Sequence, residues 1–217
     1  MKTCIIFGAG EYDAQTPLIP ADSFIIAADA GYTRCLALGL TPDLVIGDFD
    51  SLCKAPDLSN VVRLPVEKDV TDMEAAVKQG ILRGCKVFHL YGGMGGRPDH
   101  TLANYTILTK LSQEKTDVFL YGEGYIVTAV TNGTLTLTGG RGETVSVFSW
   151  TERSEGVTLR GLKYPLENAT LTNTFALGVS NSFADDTAVI SVRNGTLLVM
   201  REVVPESPGD QAGKKLP

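Results

Sequence analysis

Asp48 and Asp50 stand two residues apart at the end of an apolar run, Leu44-Val45-Ile46-Gly47-Asp48-Phe49-Asp50-Ser51. The run reads as a buried strand, and side chains two apart in extended backbone point the same way, so the two carboxylates can share one cation. Magnesium suits such a pair: it takes oxygen ligands, usually one or two carboxylates, and completes its octahedron with water and substrate phosphates. The same residues also suit a solvated, Asp-rich turn.

Other charged groups recur where strands give way to turns. Asp29 follows the apolar stretch Phe24 to Ala28, at the kind of strand end where open α/β sheets bind ligands. Thr71 with Glu74 three residues later is a capping box, which predicts a helix from Thr71 to near Gly84. Its first turn offers N–H groups to a phosphate and lets Asp72 reach a metal, although Asp69 and Asp72 also favour a helix start by charge alone. Gly92-Gly93-Met94-Gly95-Gly96-Arg97-Pro98-Asp99-His100 is rich in glycine but has neither P-loop spacing nor a following Lys-Ser or Lys-Thr. The glycines let backbone approach a ligand closely, or simply make a pliant loop. Arg97 can pair with phosphate oxygens, and Asp99 can cap the next helix, bind a metal or accept a proton.

Alternating strand and helix signals position these groups. Strands are predicted at Thr3 to Phe7, Phe24 to Ala28, Leu44 to Gly47, Val61 to Leu64, Lys86 to Tyr91 and Asp117 to Tyr121, with helices at Tyr32 to Leu38, from Thr71, and at Thr101 to Leu111. Gly8-Ala9-Gly10-Glu11 resembles half of a dinucleotide fingerprint, but Asp13 replaces the third glycine, so a plain turn is the expectation. His89, inside an apolar strand pattern, reads as a satisfied core histidine. From Tyr125 onward the pattern changes to alternation, as in Thr134-Leu135-Thr136-Leu137-Thr138, with Asn132-Gly133 and Asn194-Gly195 read as hairpin turns. The fold class is therefore an N-terminal open α/β nucleotide-binding domain, residues 1–121, followed by a C-terminal antiparallel β-sandwich of about seven short strands, residues 122–204. Residues 205–217 read as a frayed tail.

With 43% hydrophobic and 20% charged residues, the chain has a soluble globular composition, with no sign of a membrane protein. A net charge of −6 argues against nucleic acid as partner. An anionic small substrate would need a cation as intermediary. The N-terminal apolar run is too short for a signal peptide, so the cytoplasm is the expected location. Cys4, Cys35, Cys53 and Cys85 are widely spaced and read as small buried thiols.

Taken together, Asp29-Ala30-Gly31, Gly47-Asp48-Phe49-Asp50-Ser51, Lys68-Asp69-Val70-Thr71-Asp72 and Gly96-Arg97-Pro98-Asp99-His100 resemble, in order and spacing, the motifs of the thiamine pyrophosphokinase family. Gly161-Leu162-Lys163-Tyr164-Pro165-Leu166 and Gly178-Val179-Ser180-Asn181 resemble that family's vitamin-binding half. Relatives often carry an acid after this last segment, where this chain has Ser182 and reaches acids only at Asp185 and Asp186. The resemblance implies transfer of the pyrophosphoryl group of ATP to the hydroxyl of thiamine, a magnesium cofactor, and a homodimer with sites between subunits. It places Asp48, Asp50 and Asp72 on magnesium and Arg97 on phosphate oxygens, with Asp99 as proton acceptor or further metal contact. Asp29, Gly31, Lys68, Asp69 and Thr71 would serve ATP, and Ser180 and Asn181 thiamine. Two rivals are a magnesium-dependent phosphohydrolase with Asp48 as nucleophile and Asp185-Asp186 as its late acidic pair, and a non-catalytic nucleotide or thiamine sensor.

Overall fold

The computed structural model describes residues 1–13, 17, 19–49, 59–65, 67 and 69–203. The chain is a sheet-dominated mixture of α and β structure and divides into two compact units. One comprises Met1–Leu108 with Thr116–Glu123, and the other Thr109–Lys115 with Gly124 onward.

In the first unit six strands pair in parallel: β1 (Thr3–Phe7), β2 (Phe24–Ala28), β3 (Leu44–Gly47), β4 (Val61–Arg63), β5 (Val87–Tyr91) and β6 (Asp117–Gly122). Their order is β4-β3-β2-β1-β5-β6. Strands buried on both faces of a sheet must be apolar throughout, and Cys4 to Phe7, Ile26 to Ala28 and Leu44 to Ile46 are all buried. Helices α1 (Gly31–Ala37), α2 (Asp72–Leu82) and α3 (Pro98–Gln113) alternate with them. Helix α3 starts three residues before the predicted Thr101, because proline tolerates the first helical position, where its missing N–H is not needed.

Gly31 shows why the sheet demands one residue type at a motif position. A methyl group there would stand 1.9 Å from the Phe7 carbonyl oxygen, so only glycine lets α1 pass beneath the end of β1. His89 is 4% exposed and hydrogen-bonds the Tyr121 hydroxyl through Nδ1 at 2.8 Å. Burial lowers its pKa to about 4, so it sits neutral in the core as predicted. Cys4, Cys35 and Cys85 are free, buried thiols, and burial pushes Cys35 up to about 12. Cys53 and residues 205–217 lie outside the described residues.

The second unit is antiparallel, with described strands β7 (Tyr125–Thr138), β8 (Thr144–Ser149), β9 (Arg153–Arg160), β10 (Leu166–Thr172), β11 (Gly178–Ser182) and β12 (Thr187–Glu202). Two are far longer than expected, for a local reason. Asn132-Gly133 and Asn194-Gly195 are not hairpin turns; they face each other as an irregularity inside the β7–β12 ladder, where the register shifts between Val192 and Thr196. Asn132 adopts φ 47°, and its side-chain oxygen accepts the Gly195 N–H at 2.8 Å. The chain bends there without reversing. Along its other edge β12 pairs first with β9 and, past the bend, with β8. Among the described residues no helix is long and apolar enough to cross a membrane.

Gly31→Ala is expected to destabilise the protein by about 1–3 kcal/mol or more, because the clash is with backbone that side-chain repacking cannot relieve. Urea denaturation monitored by circular dichroism measures this, and a wild-type midpoint would refute the packing role.

Candidate active site

Successive connections run from β1 outward to β2, β3 and β4, and the chain then returns to place β5 and β6 on the other side of β1. The C-terminal ends of β1 and β5 thus flank the switch point where open sheets bind ligands. Here the two following loops are zipped together, with Gly8 N–H bonding Tyr91 O at 2.8 Å, Gly10 N–H bonding Gly92 O at 2.8 Å, and Glu11 N–H bonding Met94 O at 3.3 Å. Gly8-Ala9-Gly10-Glu11 is therefore more than the plain turn expected from its sequence. It forms part of the wall of a cavity of about 590 Å³ that the Gly92–Gly96 loop also lines.

Five sequence-predicted residues meet at this cavity: Asp29, Asp48, Thr71, Asp72 and Arg97. Asp29 follows β2 in left-handed backbone, φ 49°, and its N–H continues the parallel ladder to Ile46 O at 2.8 Å. Asp48 follows β3 and is half-buried rather than exposed. The extended-backbone argument for pairing it with Asp50 does not hold. Strand β3 stops at Gly47, and Phe49 turns left-handed, φ 60°, to bury its ring in the core. Left-handed backbone at a bulky residue breaks the two-residue alternation. Asp50 itself lies outside the described residues, as does Lys68.

Helix α2 presents its N-terminus to the cavity. Thr71 is the cap, its hydroxyl accepting the Glu74 N–H at 3.1 Å as the capping-box pattern predicts, and the Glu74 carboxylate meets Lys78 at 3.4 Å. Asp72 occupies the first helical position.

Helix α3 begins on a different chemistry. The Arg97 carbonyl accepts the Thr101 N–H at 3.2 Å, making Arg97 the residue that opens the helix. Its guanidinium grips Asp99 with Nε at 3.2 Å and Nη2 at 2.6 Å. Asp99 Oδ1 also accepts the His100 N–H at 3.0 Å. The Arg97 hydrogen bonds hold the Asp99 carboxyl below the usual carboxylate range, and the same contact raises Arg97. Asp99 is thus a weak proton acceptor while this pair persists, and both side chains are largely exposed.

Sequence reasoning gave no site role to three polar residues of the cavity, Glu11, His100 and Asn104. His100 and Asn104 follow Arg97 by three and seven, the spacing of one helix face, and that signal was available once the helix start was known. Asn104 is 5% exposed and donates from Nδ2 to the Gly93 carbonyl at 2.6 Å, tying α3 to the glycine loop. Gly31, Asp69 and Asp99 do not line the cavity. Gly31 packs against β1, and Asp69 is exposed. Among the described residues no three His, Cys, Asp or Glu side chains gather as a metal cluster.

Ser180 and Asn181 lie on β11 of the second unit. Ser180 is exposed with φ 56°, its N–H bonded to Ser146 Oγ at 3.1 Å. Asn181 is 4% exposed and committed to the fold. Its Oδ1 accepts the N–H groups of Tyr164 and Ser182, both at 2.9 Å, and its Nδ2 donates to Tyr164 O at 2.8 Å.

The chain is similar to known proteins in sequence and fold. Residues 16–120 match the family model described as thiamin pyrophosphokinase, catalytic domain, and residues 134–197 match thiamin pyrophosphokinase, vitamin B1 binding domain. A thiamine pyrophosphokinase of Bacillus subtilis (strain 168) is 27% identical over 185 residues, which cover 81% of this chain and 86% of the relative. A crystal structure of thiamine pyrophosphokinase from Bacillus subtilis superimposes with a TM-score of 0.84 at 25% identity, covering 94% of this chain and 100% of that one. The Geobacillus thermodenitrificans thiamin pyrophosphokinase structure gives 0.76 at 27% identity, covering 96% and 99%.

Asn104→Ala should cost about 1–3 kcal/mol, the penalty for leaving a buried carbonyl without its donor. Asn104→Asp should cost more, since it sets a carboxylate oxygen against the Gly93 carbonyl. Thermal denaturation of both variants checks the order. By the same reasoning Asn181→Ala should lose about 1–3 kcal/mol while Ser180→Ala stays near wild type; equal midpoints for the two would refute the structural assignment of Asn181.

Proposed function

The chain belongs to the thiamin pyrophosphokinase family, and from that premise we propose that it transfers the pyrophosphoryl group of ATP to the primary hydroxyl of thiamine, giving thiamine diphosphate and AMP. One observation carries the reading in this chain. Carboxylates from the ends of β2 and β3 and the start of α2 share a switch-point cavity with the guanidinium of Arg97.

The reaction breaks the bond between the β-phosphorus and the oxygen bridging it to the α-phosphate. That oxygen leaves with its electron pair on AMP, and the thiamine oxygen takes its place after losing its proton. Little covalent work falls to the protein, so positioning and charge neutralisation are what the residues contribute. Asp48 and Asp72 fit magnesium, because that ion is held by one or two carboxylates and substrate phosphates and needs no three-acid cage. When bound, it would neutralise charge on the phosphates. Asp50 and Lys68 keep the roles the family resemblance implies.

The N-terminus of α2, with Thr71, offers backbone N–H groups to a phosphate, and Asp29 borders the nucleotide. Arg97 moves its fork from Asp99 to phosphate oxygens when ATP enters, since both acceptors suit the same planar pair of N–H groups. Losing Arg97 lets the Asp99 carboxylate recover ordinary basicity, so it becomes a proton acceptor only when the phosphates are in place.

We read residues 1–121 as the open α/β domain that binds ATP and residues 122–204 as a β-sandwich that holds thiamine, with exposed Ser180 as its hydrogen-bonding contact. A homodimer follows from the resemblance, and the exposed apolar side chains Tyr164, Phe175, Leu177 and Val179 supply surface for a partner copy. Free buried thiols at Cys4, Cys35 and Cys85 accord with the reducing cytoplasm. The phosphohydrolase alternative loses its late acidic pair, because Asp185 and Asp186 lie between β11 and β12 of the antiparallel unit, not at the end of a parallel strand.

AMP release from ATP and magnesium that requires added thiamine tests the function: a hydrolase would not need the vitamin, and a sensor would release nothing. Asp48→Asn should lower turnover by roughly two to three powers of ten, the usual worth of a preorganised charge at a transition state. Its thermal midpoint should stay near wild type. Near-normal turnover would place the cation elsewhere.

A further inference from the structure

His100 belongs to the Gly96-Arg97-Pro98-Asp99-His100 motif, yet the chemistry above makes no use of it. Its position is set by the helix that carries it. The buried bond from Asn104 to Gly93 fixes the rotation of α3 about its axis. Residues three and four apart share a helix face, so His100 projects one turn nearer the N-terminus than Asn104, into the same cavity, with Arg97 as its neighbour.

An anion at the start of α3 meets fewer backbone donors than a helix N-terminus ordinarily offers. Helices ordinarily bind phosphate through free N–H groups of the first turn. Here Pro98 has no N–H, and that of His100 is already bonded to Asp99 Oδ1 at 3.0 Å. Arg97 commits Nε and Nη2 to the same carboxylate. The His100 side chain is exposed, and an imidazole carries at least one N–H donor in either protonation state. Glu11, Asp29, Asp48 and Asp72 give the cavity a negative balance that repels any phosphate not covered by a cation.

Resting on the proposed use of ATP, we infer that His100 is a phosphate-binding residue, its ring donating a hydrogen bond beside Arg97 to a phosphate oxygen of the nucleotide. Calorimetric titration of wild type, His100→Ala and His100→Gln with ATP, tripolyphosphate and thiamine, each with magnesium present, tests it. His100→Ala should weaken ATP and tripolyphosphate by about five- to tenfold, the size of one lost hydrogen bond. Thiamine affinity and thermal midpoint should hold at wild-type values, and His100→Gln, which keeps an N–H donor, should recover most of the loss. Unchanged ATP and tripolyphosphate affinities in His100→Ala would overturn the inference. So would a loss shared equally by thiamine with a lowered midpoint, which would assign His100 to the fold. Tripolyphosphate binding that depends on His100, in a wild-type protein that releases no AMP when thiamine is added, would sink the functional reading and leave this inference standing.

Discussion

The ends of β1 and β5 leave the sheet side by side and keep exchanging hydrogen bonds beyond it, and the rest of the site depends on how closely they run. A Cβ on Gly8 or Gly10 would stand 2.7 Å from the Gly92 carbonyl oxygen, so the approach admits no side chain at either position. Because these backbone groups satisfy one another, the loops need no covering layer, and the ground between them stays open as a cavity. Asn104 applies the same logic from outside: it satisfies the Gly93 carbonyl and so fixes α3 to the glycine loop. Charge from β2, β3, α2 and α3 converges because each element is referred to this one junction.

Two left-handed residues lie where β2 and β3 give way to the cavity. Asp29 at φ 49° and Phe49 at φ 60° are both left-handed, and neither is glycine. Such backbone costs about 1–3 kcal/mol per residue and persists only where packing over-determines it. For Phe49 the compensation is visible, since its ring is 5% exposed within the core formed by Ile5, Phe7, Val45 and Tyr91. Burial of the phenyl ring accompanies the left-handed backbone that ends the extended geometry immediately after Asp48. Phe49 is thereby a packing residue beside Asp48, and it carries no reactive group.

Regular elements were legible in the sequence because their signals are local. The six parallel strands, the Thr71 cap and the buried His89 follow from periodicity, hydroxyl spacing and apolar context, and none needs knowledge of the rest of the chain. What misled was chemistry whose meaning depends on a partner. Asn-Gly signals a hairpin when the chain is free to reverse, but Asn132 and Gly195 bond to each other across a continuous ladder, and the same preference for left-handed backbone bends the strand instead. Extended backbone after Asp48 was the premise for pairing it with Asp50, and Phe49, left-handed at φ 60° with its ring in the core, removes that premise, while Asp50 itself lies outside the described residues. The glycine pair near the N-terminus was discounted for lacking a third glycine, whereas its approach to β5, which the fold alone reveals, is what brings it to the cavity.

Helices α2 and α3 reach one cavity with opposite solutions to the same electrostatic problem. At α2 the Thr71 hydroxyl takes the Glu74 N–H, and the helix dipole favours an anion at that end. At α3 proline deletes one donor and Asp99 occupies another, so side chains would carry more of the recognition of an anion there. Backbone donors are fixed and always present, but side chains can be held in reserve. In the function proposed above the Arg97–Asp99 pair is such a reserve: while it is closed the cation and the carboxylate neutralise each other, and an arriving phosphate would compete for the fork. Under the proposed function, immovable donors on one helix and exchangeable ones on the other would let the cavity grip a polyphosphate before Asp99 is released beside it. An exposed ion pair of little value to stability would, on that proposal, order binding ahead of chemistry.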